Sequence, residues 1–226
     1  MKKIADKKLL YHYISKYNID HILNDATLSY TQLHYYEKGE QILHAENQLI
    51  YYYFFVSGKI KIFSQLENGK SMLLRFYTEF DTLGDVELFK NTSIRCNVEA
   101  VENTYLVGIP AKILREKCYD NPKFLRFVIH SLSTKLESTS INSSYNLLYP
   151  LINRLSSYLI EHITDKDYII LTSSYNDISE FLGTTYRHLH RTFNDLTSKR
   201  IIRCDGKKIY ILNKNALIEL SKNLYR

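Results

Sequence analysis

Residues 179–193 read SEFLGTTYRHLHRTF, and behind Gly183 stand Tyr186, Arg187, His188, His190 and Arg191. A guanidinium can donate two parallel hydrogen bonds to the major-groove edge of a guanine, and cations and hydroxyls can hold phosphates. The spacing favours that chemistry. Ile178, Phe181 and Leu182 make an apolar face for one helix, Gly183 can close it in the left-handed conformation, and Thr185 can cap a second helix. In that second helix Leu189, Phe193 and Leu196 point inward at spacings of four and three, leaving Tyr186, Arg187, His190, Arg191 and Asn194 on or near the outer face. Two helices joined by a glycine turn form a helix-turn-helix, whose second helix can enter the major groove. Tyr186, Arg187 and Arg191 are expected at base edges, and Thr185, His190 and Lys199 nearer the phosphates. His188 stands beside them. His188 and His190 do not make a metal site, because residues two apart on a helix face different directions and no third ligand stands at suitable spacing.

The sequence that follows, RIIRCDGKKIYIL, places Asp205-Gly206 between two apolar strands, as a wing would. From residue 187 onward ten Lys or Arg stand against three acids, a net +7 in a chain of +6, which leaves −1 for everything before. Positive charge gathered in one small region fits an anionic partner such as double-stranded DNA. A solvated basic face, or a winged domain that binds another protein, is the competing reading.

These elements need a scaffold, and 226 residues allow one or two domains. Apolar residues are 45% and charged residues 24%, the balance of a globular chain. No run approaches the ~18 apolar residues of a membrane span, and the first twenty residues lack the apolar centre of a secretory signal, so a cytoplasmic protein is expected. Cys96, Cys118 and Cys204 are too far apart for a disulfide framework or a metal site. Residues 2–25 read as helical turns. Short runs rich in Val, Ile, Phe and Tyr then alternate with turn signals at Gly39, Gly58 and Asn68-Gly69, predicting a compact antiparallel sandwich or barrel that ends near Pro110. In GKIKIF, Ile60 and Ile62 share one face and Lys59 and Lys61 the other. A helix over 111–119 precedes a longer one with Phe124, Val128, Leu132 and Leu136 every four residues, whose partner is either the chain's own barrel or a second subunit. The polar stretch STSINSSYN, 138–146, reads as a boundary, and Pro150 suits the first turn of the next helix. The expected domains are a barrel with flanking helices over 1–120, a long helix and hinge over 121–146, and a winged helix-turn-helix over 147–226. The class is α+β.

Barrel, long helix and winged helix-turn-helix, in this order, resemble the Crp–Fnr family of bacterial transcription regulators. The motifs YYYFFVSGKIKIF, ENGKSMLLRF and LGDVELF are similar to the glycine-marked strands and phosphate cassette of its jelly-roll, cyclic-nucleotide-binding-like barrel. DISEFLGTTYRHLHRTFNDLTSKRIIRCDGKKIYIL is similar to its DNA-binding domain throughout, and the opening YRHL resembles the YeiL-type branch. The resemblance implies a homodimer joined through the long helix, a roughly palindromic operator, and contact with RNA polymerase if the protein is an activator. Two departures matter. Arg187 stands where many members carry a glutamate, and a carboxylate accepts from cytosine where arginine donates to guanine, so the usual half-site is not expected. In the effector pocket, Gly84, Asp85, Glu87 and Arg95 occupy the region where cyclic-nucleotide-binding members use a glutamate and an arginine. Asp85 is one methylene shorter, and counting back from Val98 and Ala100 turns Arg95 to the opposite strand face. Tight binding of cyclic AMP is therefore not expected, nor is an iron–sulfur cluster, since no cysteine precedes Cys96. The effector is an unidentified molecule or none. An enzyme would have to rest on Asp85 and Glu87 as a carboxylate pair, sharing a face if the segment is extended, and no other catalytic group supports them.

Overall fold

A computed structural model describes residues 1–65, 71–163, 168–171, 173–222 and 224. The chain divides into two compact units, Met1–Leu136 and Glu137–Arg226.

The first unit contains β1 (Lys2–Ile4), α1 (Lys7–Lys16), α2 (Ile19–Ile22), α3 (Asp25–Leu28), β2 (Gln32–Tyr36), β3 (Gln41–Leu43), β4 (Tyr51–Ser57), β5 (Ile60–Gln65), β6 (Ser71–Tyr77), β7 (Asp81–Leu83), α4 (Asp85–Lys90), β8 (Asn97–Ala100), β9 (Thr104–Pro110), α5 (Ala111–Cys118) and the start of α6 (Pro122–Leu148). Its strands form two antiparallel sheets, ordered β1-β2-β9-β4-β7 and β3-β8-β5-β6. The expected barrel is thus an open jelly-roll of two sheets. β4 runs between β9 and β7, and Tyr52, Tyr53, Phe54, Phe55 and Val56 are all buried, as a strand with both faces covered requires. β5 and β6 pair as the hairpin expected around Asn68-Gly69, from Ile60↔Tyr77 to Gln65↔Ser71, although that turn itself lies outside the described residues.

Two local expectations change. Lys2–Ile4, read as helical, pairs with Leu33–Tyr35 as an edge strand; ladder bonds to β2 outweigh a weak local preference. Lys59, assigned to the face opposite Ile60 and Ile62 with Lys61, is itself buried, its ammonium 4.8 Å from the centroid of the Phe76 ring, while Lys61 pairs with Glu99 at 3.1 Å. The polar stretch 138–146, read as a boundary at the end of the long helix, lies just after the division between the two units and is helical, α6 running to Leu148. Its serines satisfy themselves along the helix, as Ser144 Oγ does on the Ser140 carbonyl at 2.9 Å, and no proline interrupts before Pro150.

The second unit holds the rest of α6, then α7 (Leu151–Glu161), β10 (Tyr168–Ile170), α8 (Tyr175–Phe181), α9 (Tyr186–Ser198), β11 (Ile202–Asp205), β12 (Lys208–Ile211) and α10 (Lys214–Ser221). Leu155, Leu159, Ile178, Leu182, Leu189, Phe193, Leu196, Ile202 and Ile209 form its core. Among the described residues no helix is long and apolar enough to cross a membrane.

Candidate nucleic-acid interface

The turn between α8 and α9 is built as its sequence prescribes. Ser174 and Asp177 make a capping box at the start of α8. At its end Gly183 takes φ +58°, Gly183 N donates to the Glu180 carbonyl and Thr184 N to the Ser179 carbonyl, the paired bonds of a Schellman ending. Thr185 then caps α9, its hydroxyl accepting from His188 N at 3.2 Å, a contact that contributes about 1 kcal/mol.

Leu189, Phe193 and Leu196 are buried, which fixes the rotation of α9 and turns its other face outward. Thr185, Tyr186, Arg187, His188 and Arg191 are exposed there. Among the described residues neither Arg187 nor Arg191 has an ion-pair or hydrogen-bond partner in the protein, and at i and i+4 they stand one above the other. His188 Nδ1 lies 3.3 Å from Thr184 Oγ1. Lys199, at the C-terminal cap, pairs with Asp195 at 3.0 Å. His190 is placed differently from its expected position near the phosphates: its ring is half-buried, with centroids 4.8 Å from Tyr175 and 4.4 Å from Tyr186. Aromatic packing draws it inward, so it buttresses Tyr186.

The wing is β11 and β12, with Asp205 opposite Lys208. Its two-residue loop is therefore Gly206-Lys207, one position later than the sequence suggested, with Gly206 at φ +58°. β10 adds a third strand on β12. Arg203 stacks over Tyr210 at 4.2 Å, Lys208 over Tyr168 at 3.9 Å, and Tyr175 Oη donates to the Gly206 carbonyl at 3.0 Å, tying the wing to α8. Arg203, Lys208 and Tyr175 had no assigned role in the sequence; the excess of positive charge after residue 187 was the only signal for the first two.

In the first unit the effector-pocket candidates stand at the start of α4 and in the segment before β8. Gly84, at φ +96°, opens α4 and leaves no room for a Cβ beside Leu49. Asp85 is buried and fully engaged: Tyr52 Oη donates to it at 2.7 Å, the Thr82 hydroxyl lies 2.9 Å from both its oxygens, and Lys135 of α6 pairs with it at 2.5 Å. Burial alone would lower the Lys135 ammonium, but Asp85, Tyr77 and Asp81 outweigh it and hold it above the usual lysine range. Glu87 instead accepts from Arg95 N at 3.4 Å. The segment is helical rather than extended, so Asp85 and Glu87 diverge and form no carboxylate pair. Val98 and Ala100 of β8 are buried, whereas Arg95, whose side chain is exposed, stands in the irregular segment before that strand, where the strand period used to orient it does not apply.

A helix-turn-helix with a three-stranded wing and a basic outer face defines a DNA-binding domain of the winged class. Comparison with known proteins agrees. The model of the cyclic nucleotide-binding domain matches residues 33–121, and that of the Crp-like helix-turn-helix domain matches residues 153–220. The regulatory protein YeiL of Escherichia coli O157:H7 is 24% identical over 170 residues, covering 75% of this chain and 76% of that one. The cAMP-activated global transcriptional regulator CRP of Pasteurella multocida is 22% identical, covering 81% and 91%. A solved Crp/Fnr-family regulator from Eubacterium rectale shares the fold with a TM-score of 0.77 at 18% identity, covering 93% of this chain and 99% of that one. The chain belongs to the Crp–Fnr family and is a DNA-binding transcription regulator of that type.

Proposed function

We propose that the protein acts as a homodimer on a roughly two-fold symmetric operator in the cytoplasm, with α9 as its reading head. Arg187 and Arg191 are the base-reading pair, Tyr186 packs at the base edges on a His190 support, and Thr185, His188 and Lys199 hold phosphates. The observation that carries this reading is the pair of exposed guanidinium groups, one helical turn apart, on a helix whose opposite face is buried in the core. Asp195 occupies Lys199 in the free chain, so a phosphate would have to displace an exposed ion pair worth little in water.

The dimer surface is the outer face of the first half of α6. Phe124 and Val128 are buried in their own unit, whereas Ile129 is 62% and Leu136 70% exposed. Beside them runs an apolar groove of about 430 Å³ lined by Val86, Phe89, Leu125, Val128, Ile129 and Leu132. A second copy of α6 fits this face. Contact with RNA polymerase belongs to the same reading if the regulator activates. The effector side is read as closed to cyclic AMP, because Lys135 already neutralises Asp85 and Arg95 is exposed, outside the strand that would orient it.

Genomic footprinting in the native host, followed by fluorescence-anisotropy titration of the recovered operator and a scrambled duplex over a range of salt, tests the reading. Release of counterions makes log affinity fall steeply with log salt. Salt-insensitive binding, or equal affinity for the two duplexes, would instead support the protein-interaction alternative.

A further inference from the structure

The turn that presents α9 is held from outside by side chains belonging to another part of the second unit. The Schellman ending satisfies the Ser179 and Glu180 carbonyls of α8, which leaves those of Phe181 and Leu182. Both are taken by residues far away in sequence. Asn146, in the last turn of α6, donates through Nδ2 to the Phe181 carbonyl at 3.3 Å. Arg154, in the first turn of α7, donates through Nη1 to the Leu182 carbonyl and, at 2.9 Å, to Asn146 Oδ1. Its Nε donates to the Tyr149 carbonyl at 3.0 Å, just past the end of α6. Gly183 closes against the same asparagine: a Cβ there would come within 3.3 Å of Asn146 Cγ.

We propose that Asn146 and Arg154 are positioning residues of the reading head, joining the last turn of α6 to the glycine turn and so setting the angle at which α9 meets DNA. The inference rests on the reading that α9 contacts bases. Arg154 is only 8% exposed. Burying a guanidinium is costly, and an aliphatic side chain would fill such a space at less expense. What the planar, rigid fork supplies is direction. Its donors fix the end of α6, Asn146 and Leu182 in one plane, and Leu182 is three residues from the Thr185 cap. A tilt of the α6 end therefore moves the start of α9, where Tyr186 and Arg187 stand. Bidentate recognition of a base tolerates little misdirection, whereas attraction to phosphates tolerates a good deal.

The test uses the full chain and the footprinted operator. Asn146→Ala removes the donor to Phe181 and the acceptor for Arg154 at a helix end. Expected is a roughly tenfold loss of operator affinity, about the worth of one base contact, with affinity for scrambled DNA changed by less than about twofold and an unshifted melting curve. Asn146→Asp keeps the acceptor for Arg154 and should recover part of the operator-to-scrambled ratio. Arg154→Lys, which cannot fork, should lose it. An unchanged ratio in Asn146→Ala overturns the proposal, and so does a parallel loss on both duplexes that follows a lowered melting temperature. A wild-type protein that fails to distinguish the two duplexes sinks the DNA-reading proposal itself, and the bridge with it.

Discussion

Lys135 Nζ lies 2.5 Å from Asp85 Oδ2 and 3.0 Å from Asp81 Oδ1, so α6 carries an ammonium into the mouth of the cassette that opens at Gly84. The same nitrogen donates to the Thr82 carbonyl at 2.9 Å, and Ser131, one turn earlier on α6, lies 3.1 Å from the Thr82 hydroxyl. With Asp85 only 4% exposed, the pair is largely desolvated. Removing one partner strands a buried charge, so Lys135→Met should cost about 3–5 kcal/mol in urea unfolding. Adding Asp85→Asn to Lys135→Met should restore much of that loss. Strictly additive effects in the double-mutant cycle would show that the two groups are not coupled.

Calorimetry with cyclic AMP should give no micromolar binding. The exposed Arg95, in the irregular segment before β8, is not preset as a bidentate partner for a phosphate, and Asp85 is already neutralised. Micromolar affinity that disappears in Arg95→Ala would contradict both points.

On α6 the apolar stripe serves two masters. Phe124→Ala should destabilise the unit by roughly 3–5 kcal/mol, because a fully buried ring leaves a cavity. Ile129→Asp or Leu136→Asp should leave the fold intact and split the dimer, since a carboxylate cannot be buried unpaired in an apolar interface. Sedimentation equilibrium decides it: a monomeric wild type, or a Leu136→Asp variant as dimeric as wild type, contradicts the assignment.

Two classes of α9 variant should fail differently. Arg187→Ala and Arg191→Ala should each lose about 1–3 kcal/mol of preference at one base position while keeping most non-specific binding. Lys199→Ala should weaken operator and scrambled DNA together and reduce the salt slope by about one ion. Should both arginine variants retain the wild-type ratio, α9 is not the reading head.

His34 predicts an acid limb in the stability curve. It is fully buried, with Nδ1 3.1 Å from Tyr53 Oη and Nε2 3.2 Å from Gln32 Oε1. Burial, aided by Lys3 and the N-terminal ammonium, lowers its pKa from 6.5 to about 4. Between those values the unfolded chain takes up a proton that the native chain refuses. The contribution is therefore complete above pH 6.5 and is lost as the pH falls towards 4, on the order of 3 kcal/mol in all. His34→Gln should flatten the slope of unfolding free energy against pH by about one proton across that window. A slope equal to the wild type's would assign the acid sensitivity elsewhere.

Much of the helix-turn-helix is legible in the sequence. The spacing of Leu189, Phe193 and Leu196, the glycine at 183 and the cap at Thr185 act within one or two helical turns. Backbone sterics and helix period alone set such features. The alternation of Val98 and Ala100 within β8 is local in the same way, but it does not reach Arg95, which precedes the strand. The packing of His190 on Tyr175, fifteen positions away and on another helix, is not something its own helix period shows.

What only the tertiary structure decided are the pairings between distant segments. Lys2–Ile4 becomes a strand because β2 offers it a ladder. Lys135 meets Asp85 across fifty residues, and Arg154 meets Leu182 across twenty-eight. Sequence by itself determines which side chains share a helix face or a strand face, because the period of each element is fixed by covalent geometry. Which buried charge finds which partner is decided only when the core closes, since the cost of leaving water must then be met by whatever group the fold has brought within about 3 Å.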